Sequence, residues 1–206
     1  MRIGVLAVQG AFIEHERILG QLGAECAELR KGSDLQGGFD GIILPGGEST
    51  VQGKLLRELH MFGGMKEMIA SGVPVMGTCA GLILLAGRLS HDTAVYFGTL
   101  PVTVCRNAYG RQLGSFSASA HIRGLRGEGQ EFPLEFIRAP YISEIHDREH
   151  TVPLAVLDKM PDGSKGENIV GVRYQNQVGL AFHPELTDDS RCHKMFLGMC
   201  SGKSMS

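Results

Sequence analysis

Along this chain, short apolar runs closed by glycine alternate with stretches of helical spacing. Ile3-Gly4-Val5-Leu6-Ala7-Val8 reads as a buried strand, followed by a Gln9-Gly10-Ala11 turn and a helix. In that helix Ile13, Ile18, Leu19 and Leu22 are assigned to one face and Glu14, Glu16 and Arg17 to the other. Residues 24–29 and 39–44 read as a second and third strand, a helix begins near Val51, and another covers residues 61–71. Val73-Pro74-Val75-Met76 is a fourth strand that runs straight into a helix over residues 82–86. This rhythm predicts an α/β domain with a mostly parallel central sheet flanked by helices, in which ligands sit at the carboxyl ends of the strands.

Beyond residue 90 the rhythm changes. Residues 94–105, 114–122, 132–139 and 152–157 read as short strands between glycine-bearing loops, a smaller hairpin-rich segment, with residues 124–129 as a flexible connection. Residues 166–175 and 177–182 form a final hairpin around Asn176, and residues 188–199 a closing helix. No internal repeat divides the chain, so residues 1–200 are expected to be one domain and residues 201–206 a flexible tail.

Composition narrows the function classes. With 206 residues, 43% of them hydrophobic and 20% charged, the chain can bury a substantial core. A net charge of -2 gives no electrostatic footprint for nucleic acid or an anionic membrane. The apolar run behind Arg2 is too short for a secretory core, and no segment is long enough to span a bilayer. The five cysteines, Cys26, Cys79, Cys105, Cys192 and Cys200, are odd in number and contain no Cys-x-x-Cys, which speaks against a disulfide framework or a zinc ribbon and for a cytoplasmic protein.

Three stretches carry candidate chemistry. Gly77-Thr78-Cys79-Ala80-Gly81 places a cysteine at a strand-to-helix corner with the glycine spacing of a nucleophile elbow, where the first N–H groups of a helix favour a thiolate. A cysteine packed between two apolar segments satisfies the same five residues. Pro45-Gly46-Gly47-Glu48-Ser49-Thr50 can turn its N–H groups toward an anion or a developing oxyanion, or can be a plain turn whose Ser49 or Thr50 caps the next helix. It lacks the Gly-Lys-Ser/Thr of a P-loop. Finally, the last strand leads into His183-Pro184-Glu185, where two side chains two residues apart on an extended segment point the same way, so Glu185 can fix the tautomer of His183. Thiol, imidazole and carboxylate are the parts of nucleophilic acyl transfer. The remaining histidines, His15, His60, His91, His121, His146, His150 and His193, read as surface or packing residues, and Cys26, Cys192 and Cys200 as structural. His-x-Glu without a following Pro-Cys-x-x-Cys is not a zinc deaminase signature, and the chemistry requires no metal or cofactor.

The elbow together with Phe182-His183-Pro184-Glu185 resembles the class I, triad-type glutamine amidotransferases. Gln9-Gly10-Ala11-Phe12, Pro45-Gly46-Gly47-Glu48-Ser49-Thr50, Arg106-Asn107-Ala108-Tyr109-Gly110-Arg111-Gln112 and Arg138-Ala139-Pro140 narrow the resemblance to one branch, the glutaminase subunits of pyridoxal 5'-phosphate synthase. The resemblance implies a flavodoxin-like fold and hydrolysis of L-glutamine through a Cys79 thioester, with His183 as base and Glu185 holding the imidazole. It further implies an oxyanion hole at the N–H groups of Gly47 and Ala80. Substrate contacts would come from Gly47, Glu48, Ser49, Arg106, Ile137 and Arg138. It also implies an ammonia tunnel to a synthase subunit, a (β/α)₈ barrel in a large hetero-oligomer, with Gln9 and Gly10 facing that partner. Two other readings stand beside it: a thiol hydrolase acting on peptides or esters without a partner, and a non-catalytic binding or regulatory module indifferent to loss of Cys79.

Overall fold

The apolar runs of the first half become adjacent parallel strands. The computed structural model describes residues 1–107, 114–125 and 130–202. It opens with β1 (Arg2–Leu6), α1 (Phe12–Gln21), β2 (Glu25–Leu29), β3 (Gly41–Leu44), α2 (Ser49–Glu58), α3 (Phe62–Ala70), β4 (Val75–Thr78) and α4 (Ala80–Leu85). There follow β5 (Ala86–Leu89), β6 (Leu100–Cys105), β7 (Ser115–Ala120), β8 (Phe132–Ile137), β9 (Tyr141–Ile145), β10 (Thr151–Lys159), β11 (Lys165–Tyr174), β12 (Gln177–Leu180) and α5 (Arg191–Cys200). One ten-stranded sheet has the order β2-β1-β3-β4-β12-β11-β9-β6-β5, with β10 paired to β11, while β7 and β8 form a separate antiparallel pair.

The half that carries the sequence motifs, β2-β1-β3-β4-β12, is parallel throughout. Every residue of β3, β4 and β12 is buried, as expected for strands covered on both faces. Helix α4 is buried on all sides and packs on β3, β4 and β12. Each fully buried leucine or isoleucine in this layer contributes about 1.5–3 kcal/mol by leaving water. Because β1, β3, β4 and β12 point the same way, the residues that follow each of them gather at one edge of the sheet. Cys79 follows β4, which lies between β3 and β12, so the Gly46-Gly47 turn stands on one side of it and His183 on the other.

Several expectations need correction. Residues 94–99 are not a strand, and β5 and β9 were not anticipated. Ile13 is 63% exposed, and the stripe that α1 buries is His15, Ile18 and Leu19. Helix α2 is capped by Glu48, whose carboxylate accepts from the N–H groups of Thr50 and Val51, and not by Ser49 or Thr50. The Ala108–Gln112 part of one family stretch, residues 126–129 of the expected flexible connection and residues 203–206 of the expected tail lie outside the described residues. Among the described residues no helix is long and apolar enough to cross a membrane.

Candidate active site

Cys79 occupies a backbone conformation that few side chains adopt, with φ 47° and ψ -99°. Such a conformation costs on the order of 1–3 kcal/mol and persists only where its surroundings hold it. Here the Cys79 N–H donates to the Leu180 carbonyl at 2.8 Å, which ties the corner to the end of β12. The flanking glycines are needed for close approach: a Cβ on Gly77 would lie 2.6 Å from the Gly81 carbonyl carbon, and one on Gly81 would strike the Leu44 carbonyl oxygen. Helix α4, which follows Cys79, is only six residues long.

His183 is fixed from three sides. Its N–H donates to the Glu135 carbonyl of β8 at 2.8 Å, the neighbouring Phe182 packs edge-on against Phe136, and the ring lies against the Cα of Gly46. Nδ1 lies 2.6 Å from Oε1 of Glu185, and the Cys79 side chain lines the same cleft and interacts electrostatically with the ring. Burial alone would lower the imidazole, but the interactions with Cys79 and Glu185 outweigh it and push its pKa up to about 10. Burial would likewise raise the Glu185 carboxyl, yet the imidazoles of His15 and His183 hold it below its ordinary value. The local geometry differs from the extended segment expected from sequence: the strand ends at Leu180, and Pro184–Leu186 form a 3-10 turn that brings Glu185 back beneath the ring. The side chains meet, by a different route.

Two histidines assigned to surface or packing roles lie behind Glu185. His15 Nε2 is 3.3 Å from Glu185 Oε2 and 3.2 Å from Thr78 Oγ1, and His15 Nδ1 is 2.9 Å from His193 Nε2. The signal for His15 was present, because residues 15, 18, 19 and 22 follow i, i+3, i+4, i+7 spacing and Ile13 does not.

The opposite wall is built from the turns after β1 and β3. Gly10 has φ 104°, a left-handed conformation suited to glycine, and a Cβ there would collide with the Gly46 carbonyl. That carbonyl accepts the Ala11 N–H at 3.0 Å, and the Gly46 N–H donates to Thr78 Oγ1 at 3.1 Å. Burial would raise Glu48, but the N–H groups of Val51 and Thr50, the Thr50 hydroxyl and the charge of Arg106 hold its carboxyl low. Arg106 donates to Asp92 Oδ2 at 2.6 Å and to Thr50 Oγ1 at 3.3 Å. Arg138 has φ 45°, and the Ile137 carbonyl oxygen lies 3.9 Å from the Cys79 sulfur.

These walls enclose one cleft, lined by Gln9, Gly10, Gly47, Glu48, Ser49, Cys79, Arg106, Ile137, Arg138 and His183. Ala80 and Glu185 are buried and do not line it. Ala11, Gly46 and Asn107, which the sequence marked only as members of their motifs, also line it, as do Ile83 and Leu186, which were not singled out from the sequence. An anionic and a cationic side chain beside a cysteine–imidazole pair suit a zwitterionic substrate with an acyl group to be attacked.

Known proteins similar to this chain match it over nearly its whole length. The model of the SNO glutamine amidotransferase family matches residues 5–202. The pyridoxal 5'-phosphate synthase subunit PdxT of Desulfitobacterium hafniense strain Y51 is 58% identical over 205 residues, covering 99% of this chain and 96% of that protein. The subunit of the same name from strain DSM 10664 / DCB-2 is 56% identical over 202 residues, covering 98% and 94%. A crystal structure described as a glutamine amidotransferase matches with a TM-score of 0.84 at 38% identity, covering 97% of this chain and 98% of that one.

Proposed function

This chain belongs to the SNO glutamine amidotransferase family, and we propose that Cys79, His183 and Glu185 carry the family's amide hydrolysis here. The reaction is hydrolysis of L-glutamine to L-glutamate and ammonia, with the ammonia supplied to pyridoxal 5'-phosphate (vitamin B6) synthesis. The Cys79 thiolate attacks the side-chain carbonyl carbon of glutamine, and His183 gives its proton to the departing ammonia. A γ-glutamyl thioester remains. Water then attacks that carbonyl, His183 takes the water's proton, and the sulfur leaves as glutamate is released. The oxyanion is assigned to the N–H groups of Ala80, directly after Cys79, and of Gly47 across the cleft.

Glu48 and Arg106 are assigned to the α-ammonium and α-carboxylate of the amino acid, with Ser49, Ile137 and Arg138 completing its site. The observation that carries the reading is that Cys79 and the Glu185-bound imidazole of His183 line one cleft that also holds both head-group charges. The thiol-hydrolase and binding-module readings give no reason for that charge pair.

The chain works with a synthase subunit, and we assign the face bearing Gln9 and Gly10 to that partner within a large cytoplasmic hetero-oligomer. Leu186, which lines the cleft, and Ile13 and Val51, close in sequence to lining residues, are apolar residues exposed to between 43% and 63%. Five free thiols suit a reducing compartment. The decisive experiment is a glutaminase assay with and without the cognate synthase subunit. Glutamate production by the pair is expected; none from either combination would overturn the assignment.

A further inference from the structure

The buried polar chain continues past Glu185. One carboxylate oxygen faces His183; the other, Oε2, makes no hydrogen bond and has His15 Nε2 3.3 Å away, both side chains being fully shielded from water. His15 does not line the cleft. We propose that His15 is a positioning residue: it holds its Nε2–H against the second oxygen of Glu185, an electrostatic contact in a dry interior, with His193 setting its tautomer, so that the carboxylate has one orientation toward His183. The proposal deepens the glutaminase reading and rests on it.

The proton inventory sets the direction of the chain. Burial lowers both imidazoles, His193 to about 3, so each is neutral and has a single N–H to place. With the proton on Nδ1 of His15, a bare lone pair on Nε2 would confront a carboxylate. His193 would then hold its own N–H on Nδ1, a buried atom with no hydrogen-bond partner. With the proton on Nε2, His15 Nδ1 accepts from His193 Nε2–H at 2.9 Å, and what stays unpaired at His193 is only a lone pair. The second arrangement loses less. The charged and titratable groups facing His15 are Glu185, His183, Glu14 and His193, and the carboxylate of Glu185 is the one that lies 3.3 Å from Nε2.

Thr78 is the hydrogen-bond partner of the same nitrogen: its hydroxyl oxygen lies 3.2 Å from His15 Nε2 and accepts the Gly46 N–H, so the imidazole that borders Glu185 also borders the turn that supports the opposite wall. A carboxylate with one oxygen unclaimed in a dry interior could rotate away from His183, and a misplacement of about 1 Å can cost about 10²-fold in rate.

The test compares wild type, His15→Leu, His15→Gln and His193→Phe, each in complex with the synthase subunit. Glutaminase kinetics are measured across pH, normalised to Cys79 sites titrated by an alkylating glutamine analogue. The low-field proton resonance of the His183–Glu185 bond is recorded in parallel. His15→Leu is expected to lower kcat by about 10²-fold with KM for glutamine within about twofold. It should also move the acid limb of kcat/KM to higher pH, because Glu185 loses a donor that favours its charged form, and shift the low-field resonance. His15→Gln, whose amide N–H can occupy the place of Nε2–H, should restore most of kcat and the acid limb.

An unmoved acid limb and resonance in His15→Leu, with kcat per titrated site unchanged, would overturn the proposal. If His15→Leu does not assemble, His193→Phe carries the same test: a shifted limb supports the proposal and an unshifted one overturns it. A wild-type complex without glutaminase activity would overturn the glutaminase reading instead, while the resonance would still report the geometry at Glu185.

Discussion

The side-chain oxygen of Gln9 accepts a hydrogen bond from the backbone N–H of Glu48 at 2.8 Å, which ties the turn after β1 to the turn after β3. Gln52, fully buried in α2, reinforces the tie from below. Its Nε2 donates to the Gln9 carbonyl at 2.9 Å and to the Pro45 carbonyl at 3.2 Å. Loss of these donors leaves two carbonyls without their partner, at about 1–3 kcal/mol for each that stays dry. Gln52→Leu should therefore lower unfolding stability by about 2 kcal/mol in urea titrations. Gln52→Glu should cost more near neutral pH, because a carboxylate would face two carbonyl oxygens. Its deficit should shrink as the pH falls and the acid becomes a donor; equal stability of the two variants at every pH would contradict this geometry.

The proposed roles of Cys79, His183 and Glu185 make the consequences of losing each member unequal. Cys79→Ala and His183→Asn should reduce glutamate production by about 10⁴-fold or more, since nucleophile and base act as a unit. Glu185→Gln should cost about 10²–10⁴-fold, because an amide N–H directed at Nδ1 opposes the tautomer and charge that the carboxylate favours. Pyridoxal 5'-phosphate synthesis by the complex from added ammonium salt should survive all three. If it fails together with the glutaminase activity, these residues are structural.

Proton linkage at this cluster runs in opposite directions on the two sides of neutrality. His183 is raised from an ordinary 6.5 to about 10, so its contribution to stability is complete below 6.5 and is lost as the pH rises toward 10. His193 is lowered from 6.5 to about 3, and Glu185 is lowered from 4.5. Their contributions are complete above those ordinary values and are lost as the pH falls below them. The stability advantage of wild type over His183→Asn should shrink between about pH 6 and pH 10. The advantage over His193→Phe should shrink from about pH 6.5 downward. Urea midpoints across pH measure both, and parallel curves would mean that neither ring is perturbed by its surroundings.

Much of the placement was legible because local pattern and tertiary position agreed. Apolar runs bounded by glycine marked β3 and β4, the Gly-x-Cys-x-Gly spacing marked the corner, and Asn176 marked the final turn, where Gln175 has φ 51°. What escaped depends on contacts distant in sequence. Strand β9 is five residues with exposed Ser143 and Glu144, and it becomes a strand by pairing with β6 and β11. Strand β5 begins at the residue after α4 ends, with no loop to announce the change. His15 was passed over because an apolar scan favours Ile13, although burial follows helical spacing and accepts an imidazole that has partners on both nitrogens. Glu48 was read for its charge toward a ligand, and its capping role competes for the same oxygens.

That double role of Glu48 separates binding from stability. Its oxygens lie 3.2 Å from the Thr50 nitrogen and 2.7 Å from that of Val51, so Glu48→Ala removes both the cap of α2 and a charge in the cleft. Loss of such a cap costs about 1 kcal/mol. Glu48→Gln keeps an acceptor oxygen for one N–H while removing the charge and the second acceptor, so it should raise KM for glutamine with a smaller loss of thermal stability than Glu48→Ala. Arg106→Ala removes the cation that bridges Asp92 and Thr50 at the cleft wall. A charge-assisted bond to the substrate carboxylate is worth about 1.5–3 kcal/mol, so KM should rise by roughly 10–10²-fold with kcat nearly constant. The expected pattern is thus KM raised in Glu48→Gln and Arg106→Ala, and stability lowered most in Glu48→Ala. A fall in kcat at unchanged KM in Arg106→Ala would move that residue from holding the substrate to assisting the chemistry.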